Sequence, residues 1–301
     1  MGHRFYSNGK LLITGEYAIL DGASGLAVPT RYGQALRVKE QKEKGLSWQA
    51  KDETGKIWFQ AHFNVDLEPT SSTDDAVATR LTSILKAAKG LNPNWMDSPN
   101  GQSVETTRDF PAHWGLGTSS TLINNVAQWT GVNAYALLEQ TFGGSGYDIA
   151  CAVGNDPIVY ALDAKKNPVV VPVHFTPPFA SQLFFVHLNQ KQNSRTAIAA
   201  YRAKTAATQF FQEVSRLTQA FVDCRDLPLF QDLMEEHEAL LSKTLEIAPV
   251  KERLFPDYFG AIKSLGAWGG DFVMATGNEN TRSYFEAKGF GTVIPFSKML
   301  L

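Results

Sequence analysis

Near the middle of a 301-residue chain, Gly115-Leu116-Gly117-Thr118-Ser119-Ser120-Thr121 places two glycines and four hydroxyl residues directly ahead of an apolar helical pattern, Leu122 to Trp129. Free backbone N–H groups, hydroxyl donors and the positive end of a helix dipole meet at one point, a combination that suits a polyphosphate. A glycine turn with a Ser/Thr N-cap uses the same residue types, so the stretch alone leaves both readings open. Three other stretches set a charged residue among glycines. They are Ser7-Asn8-Gly9-Lys10 with Thr14-Gly15-Glu16-Tyr17 just beyond, Gly144-Ser145-Gly146-Tyr147-Asp148, and Gly266-Ala267-Trp268-Gly269-Gly270-Asp271.

In this order the four stretches resemble the motifs of the GHMP kinases, the superfamily of galactokinase, homoserine kinase, mevalonate kinase and phosphomevalonate kinase. Residues 7–20 resemble the amino-terminal PGK…GEHAV element. Gly115 to Ser120 is similar to the GLGSS nucleotide loop, Gly144 to Ala150 to the SGxD segment, and Gly266 to Asp271 to the GAGGG loop. Asn8 stands in place of a proline, Thr118 in place of the first loop serine, and Trp114 and Trp268 where small residues are usual.

The resemblance implies ATP and Mg2+ as cofactors and a small-molecule acceptor as partner. It implies that Gly115, Leu116, Gly117, Thr118, Ser119 and Ser120, with Gly269 and Gly270, hold the nucleotide. Ser119 and Glu139 would serve the metal. Asp148 would be the catalytic carboxylate and Lys10 the catalytic cation. Glu16, Gly146, Lys191, Ser194 and Arg195 would face the acceptor. The last three come from Asn189 to Thr196, similar to a polar lysine-serine loop of the mevalonate and phosphomevalonate kinase branch. The implied reaction is transfer of a γ-phosphoryl group to an acidic metabolite, mevalonate or phosphomevalonate. A sugar or homoserine acceptor, or a non-catalytic nucleotide-binding member, are the alternatives. A homodimer is a further implication. Read singly, these residues also have plain uses: a solvated strand-end lysine, an Asx turn or helix cap at Asp148, a strand-edge charge at Glu16 and a solvated helix glutamate at Glu139.

Phosphoryl transfer needs charge neutralisation, a metal and a group that aligns the acceptor hydroxyl. The chain has no Walker A lysine motif. Cys224-Arg225-Asp226-Leu227 lacks the downstream asparagine of a protein-kinase catalytic loop, so the glycine-hydroxyl stretch must cradle phosphates by backbone N–H groups. The formal net charge of -2 leaves no footprint for nucleic acid or an acidic membrane surface. No apolar run approaches the roughly 20 residues of a bilayer span, and the start lacks a signal-peptide core. Two cysteines, Cys151 and Cys224, exclude a disulfide scaffold and make the cytoplasm the expected location.

The elements that must position these residues are mixed. Strands are expected at 10–13 and 18–20, at 26–29, at 35–39, and as a hairpin of 46–50 with 57–63. The periodicity predicts a helix over 74–89, a loop or weak hairpin over 92–107, and helices after the glycine-hydroxyl stretch and over 134–141. Paired strands at 157–162 and 169–173 close the first half. The second half reads as a strand at 182–188, helices at 195–204, 207–223, 227–247 and 257–265, strands at 272–275 and 291–295, and a helix over 278–288 between them. The class is α+β. The resemblance implies a ribosomal-protein-S5-like domain over 1–175, carrying the nucleotide loop and Asp148, and a ferredoxin-like domain over 176–301, carrying the third glycine stretch.

Overall fold

The structure, a computed structural model, describes residues 2–96, 100–190, 198, 201–202, 208–266, 268 and 270–301. The chain divides into two compact units. Unit 1 is Met1–Gly9, Tyr32–Ala112 and Leu116–Val153; unit 2 is Lys10–Arg31, His113–Gly115 and Gly154–Leu301. Strands β1 (His3–Leu12) and β2 (Gly25–Gln41) pair with each other, and each gives residues to both units.

In unit 1, β3 (Leu46–Lys51) and β4 (Ile57–Phe63) form the expected antiparallel hairpin. Asp52 Oδ1 fastens its turn by accepting from the N–H groups of Thr54 and Lys56. Phe59, Ala61 and Phe63 of β4 point inward while the residues between them are exposed, the alternation of a half-covered strand. With β5 (Pro69–Ser72) and β6 (Gly101–Arg108) the order is β5-β4-β3-β6-β2. Helices α1 (Asp75–Leu91), α2 (Thr118–Thr130), α3 (Ala134–Thr141) and α4 (Tyr147–Val153) share one core with the sheet's buried side chains.

Two expectations change here. The segment expected to be a loop or weak hairpin holds β6, parallel to β3 and antiparallel to β2. Val104 is its one large apolar residue, so no periodicity betrays it; ladders on both sides and its β-forming threonines decide its conformation. The two strands expected at 26–29 and 35–39 are one 17-residue strand, β2. Gly33 lets it continue, because a Cβ there would stand 2.3 Å from Ser7 O.

In unit 2, β7 (Ile158–Leu162) lies between residues 25–27 of β2 and β8 (Pro168–Pro172). A second, all-antiparallel sheet has the order β10-β11-β9-β12, from β9 (Leu183–His187), β10 (Ile262–Ser264), β11 (Phe272–Thr276) and β12 (Val293–Pro295). The helices of unit 2 include α5 (Thr208–Asp223), α6 (Leu227–Leu245), α7 (Val250–Leu254), α8 (Thr281–Ala287) and α9 (Phe296–Met299), and the helix expected over 195–204 lies mostly outside the described residues. The helix expected over 257–265 is replaced by β10. Gly260 abuts Thr276 O, Ala261 N–H donates to Thr276 Oγ1 at 2.9 Å, and the chain enters the sheet instead of coiling. The strand expected to resume at 18–20 is a 3₁₀ turn, Ala18–Asp21, ended by Gly22 in the left-handed region. Among the described residues no helix is long and apolar enough to cross a membrane.

Gly15 shows why the first glycine motif needs its residue type. Its φ is +92°, and a Cβ would fall 2.6 Å from Gly25 Cα, so two backbones meet where no side chain fits. Gly15→Ala is expected to destabilise the protein by at least the ~1–3 kcal/mol of a strained backbone. Gly22→Ala, at φ +94° but with its nearest neighbour 3.7 Å away, should lose only the conformational part. Thermal melts compare them; equal losses would show that the backbone contact is not what demands glycine.

Candidate active site

The glycine-hydroxyl stretch opens α2 in unit 1. The helix starts at Gly117, with φ 90°, and has no side-chain cap; α1, α3 and α6 are capped by Asp74, Asn133 and Asp226. A capping carboxylate or amide would consume the first-turn N–H groups. Here no side-chain cap among the described residues takes them, at the positive end of a 13-residue helix. Leu116 is fully buried and pins the stretch. The hydroxyls divide in two. Ser120 is buried and donates to Gly117 O at 2.9 Å, and Thr121 donates to Gln34 Oε1 at 2.9 Å. Thr118 is half-exposed and Ser119 exposed.

A buried polar net fixes the underside of α2. Asn124 Nδ2 donates to Ser7 Oγ at 2.9 Å, Ser7 Oγ to Asn125 Oδ1 at 2.9 Å, and Asn125 Nδ2 to Gln34 O at 2.8 Å. Such satisfied interior networks hold one geometry firmly. α2 packs on α4, whose first turn carries Asp148, half-buried behind Gly143, Gly144 and the buried Gly146, all three at positive φ. Asp148 Oδ1 accepts from Ile149 N–H at 3.2 Å. Glu139 is exposed on α3, which also packs on α2.

Unit 2 carries Lys10 and Gly115. Lys10, half-buried near the end of β1, donates from Nζ to Gly115 O at 3.0 Å. A cation therefore stands at the residue that leads into Leu116 and the helix. Asp271 lies against the same glycine, since a Cβ on Gly115 would be 2.3 Å from its Oδ2. Trp114 meets Phe272 edge-on at 5.6 Å, and His187 Nε2 sits 3.1 Å from His113 O. Burial, chiefly, lowers the His187 pKa below the ordinary histidine value.

Glu16 is at 0% exposure inside unit 2. Its Oε1 accepts from Lys263 Nζ at 2.6 Å, and its Oε2 is 3.4 Å from His237 Nε2. Burial pushes the Glu16 carboxyl up to about 7, although Lys263 pulls the other way. Burial first, then Lys263, drives His237 well below its ordinary value, so the ring is neutral. The neutral Nε2 faces Gly15 N–H at 3.5 Å as an acceptor. That tautomer leaves Glu16 Oε2 and His237 Nδ1 without hydrogen-bond partners among the described residues. Next along α6, Glu238 accepts from Ser264 N–H at 2.9 Å and Trp268 Nε1 at 3.0 Å through Oε1, and from Ser264 Oγ at 3.0 Å through Oε2. Its pKa is raised by burial against the pull of Lys263.

Of the residues singled out in the sequence, Leu116, Gly117, Thr118, Ser119, Ser120, Glu139, Gly146 and Asp148 belong to unit 1, and Lys10, Glu16, Gly115 and Gly270 to unit 2. Gly269, Lys191, Ser194 and Arg195 lie outside the described residues. Sequence reasoning gave no role to Ser7, Gln34, Asn124, Asn125, His237, Glu238, Lys263 and Asp271, although Ser7 and Asp271 stand inside the glycine stretches themselves. A further signal was His237, a polar residue among the apolar side chains of α6.

No protein-family model and no curated protein sequence matches the chain. Solved structures do. The Methanococcus jannaschii mevalonate kinase is 16% identical, with a TM-score of 0.70 over 96% of this chain and 94% of that one. The Streptococcus pneumoniae phosphomevalonate kinase, solved with phosphomevalonate and AMPPNP, is 14% identical, with a TM-score of 0.70 over 95% of each chain. The Lactococcus lactis galactokinase, solved with galactose, is 15% identical, with a TM-score of 0.65 over 96% of this chain and 89% of that one. Mevalonate, phosphomevalonate and galactose kinases thus share one architecture with this protein almost end to end, and the fold of the chain is that of the GHMP kinases.

Proposed function

We propose that the protein is an ATP-dependent phosphotransferase that phosphorylates a hydroxyl or phosphate of a small acidic metabolite, mevalonate or phosphomevalonate. The observation that carries this reading is the uncapped glycine start of α2 with Lys10 bonded to Gly115 O. The fold likeness supports the same reaction class, and the motif resemblance supports the mevalonate branch.

The residues fit a nucleotide. First-turn N–H groups and the exposed Ser119 hydroxyl would meet its phosphates. Bound Mg2+ would neutralise phosphate charge. Among the described residues no group of three or more His, Cys, Asp or Glu could hold a metal alone. Mg2+ would arrive with the phosphates and take Ser119, and Glu139 as its carboxylate, as this ion does where it keeps water and phosphate ligands. The Lys10 ammonium would stabilise charge developing on transfer, and Asp148 would orient the acceptor hydroxyl and take its proton.

Turnover of ATP with Mg2+ against mevalonate, phosphomevalonate, homoserine and galactose tests the proposal. Rapid turnover of one mevalonate-series acid supports it. Turnover of galactose or homoserine alone would move the acceptor, and absence of Mg·ATP binding would end the kinase reading. Lys10→Met is expected to lower kcat about 100-fold or more with little change in acceptor KM, because its interaction grows only as charge develops. A change confined to KM would make Lys10 a plain binding residue.

A further inference from the structure

His113-Trp114-Gly115 is a three-residue piece of unit 2 with little structure of its own: a 3₁₀ turn over Ala112–Trp114 and a glycine at φ +67°. It is held from the end of the second sheet. His187, the last residue of β9, is buried and pairs with Phe272 of β11. Its Nδ1 accepts from Asn189 N–H at 3.1 Å, and a backbone N–H can only donate, so the ring's proton sits on Nε2. That nitrogen then donates to His113 O at 3.1 Å. The His113 ring meets the His187 ring edge-on at 5.0 Å, and Trp114 meets Phe272 likewise at 5.6 Å. The Asp271 carboxylate fills the space that a Cβ on Gly115 would need. At the far end of this piece, Gly115 O receives Lys10 Nζ at 3.0 Å.

We infer that His187 is a positioning residue for Lys10: it holds the backbone of residues 113–115, and so fixes the carbonyl to which the Lys10 ammonium is bonded. The inference rests on the proposed function, in which Lys10 stabilises charge developing on transfer. A lysine ammonium rides on a flexible four-carbon stem, and a charge aimed at a transition state is worth most when its place is set beforehand. Gly115 O sets that place only if Gly115 cannot drift, and glycine has the freest backbone of any residue. The buried imidazole removes that freedom with one bond on each nitrogen. Both bonds together need a neutral ring, since an imidazolium could not accept from Asn189, and burial, by lowering the His187 pKa, favours that form. The catalytic rate is thus set partly from the end of β9, by a side chain that acts through His113 and Gly115 and not by contact with a reactant.

The experiment compares the full-length wild type with His187→Asn, His187→Gln, Lys10→Met and the double variant of Lys10→Met with His187→Asn. Steady-state kinetics give kcat and KM for Mg·ATP and for the accepted substrate, with thermal midpoints alongside. Asparagine keeps an acceptor at the place of Nδ1 but is too short to reach His113 O with a donor. Its kcat should fall about tenfold, the worth of one hydrogen bond, with both KM values within about twofold of the wild type. Glutamine puts an amide N–H at the place of Nε2 and should restore most of kcat. In Lys10→Met, adding His187→Asn should slow the enzyme no further, because the group it positions is gone. If His187→Asn does not fold, His187→Phe, which keeps a ring against Phe272, takes its place in the same cycle. Wild-type kcat in His187→Asn with only a lowered thermal midpoint would reduce the contact to packing and overturn the inference. A loss confined to KM, His187→Gln as slow as His187→Asn, or kcat losses that multiply in the double variant would overturn it too. Lys10→Met at the wild-type rate, or a wild type that turns over no acceptor, would instead overturn the proposed function, and this inference with it.

Discussion

Lys263→Met is expected to lower stability at pH 8 by about 3–5 kcal/mol, the loss found when one partner of a buried ion pair is removed. Lys263 and Glu16 are both at 0% exposure and 2.6 Å apart, so neither charge has water to fall back on. The pair is not itself a large net stabiliser, since two desolvated ions repay little more than their transfer out of water. The loss comes from the carboxylate left behind. It has a pH signature. The folded-state pKa of Glu16 is raised to about 7, so its contribution is fully present below the unfolded value and is lost as pH rises through about 7. Lys263 holds that pKa down, and it also holds the His237 pKa down.

Without Lys263 both groups bind protons more readily in the folded state, and every tenfold gain in proton affinity is worth about 1.4 kcal/mol. The variant should therefore lose clearly less at pH 5.5, where a protonated Glu16 or a Glu16–His237 pair removes the stranded charge. Glu238, whose carboxyl Lys263 also holds down, moves in the same direction. Adding Glu16→Gln should recover much of the loss at pH 8, because the double variant has no unpaired charge. Urea midpoints at the two pH values measure this; equal loss at both, without recovery in the double variant, would show that the stranded carboxylate is not the cause.

The sequence exposed those parts of the candidate site whose conformation is local. Gly115 to Ser120 carries its own geometry: two glycines at positive φ and a helix start with nothing to cap it are short-range consequences of residue type. Gly144 to Asp148 is legible for the same reason. What stayed hidden depends on partners far apart in the chain. Lys263 and Glu16 are 247 residues apart, and Ser264 and Glu238 are 26 apart, so no periodicity links them. Glu238 looks like any helix glutamate until α6 turns it inward. Strand β6 escaped because its neighbours, not its composition, make it a strand. Glu16 was legible as a motif residue, yet its burial against Lys263 is a tertiary fact. Ser120 reads as a phosphate-facing hydroxyl by type, while the structure spends that hydroxyl on Gly117 O.

Asp148→Asn is expected to lower kcat by about 10²–10⁴-fold, the usual worth of a positioned general base, and to leave Mg·ATP affinity within about twofold of the wild type. The separation follows from where the carboxylate sits. Asp148 is in the first turn of α4, while the N–H groups proposed to meet the nucleotide belong to α2, and the hydrogen bonds among Ser7, Gln34, Asn124 and Asn125 that fix α2 run through other side chains. Asparagine is isosteric and keeps the acceptor for Ile149 N–H, so α4 and its packing should survive. Only the ability to take a proton is removed. Turnover assays with the accepted substrate, beside calorimetric titration of Mg·ATP, check both halves. A variant that turns over at the wild-type rate would remove Asp148 from the chemistry and leave it as a helix-start residue. One that loses Mg·ATP affinity as well would make it part of the nucleotide site instead. A kcat loss with affinity intact would fix the proton step on α4 and separate it from the phosphate cradle on α2.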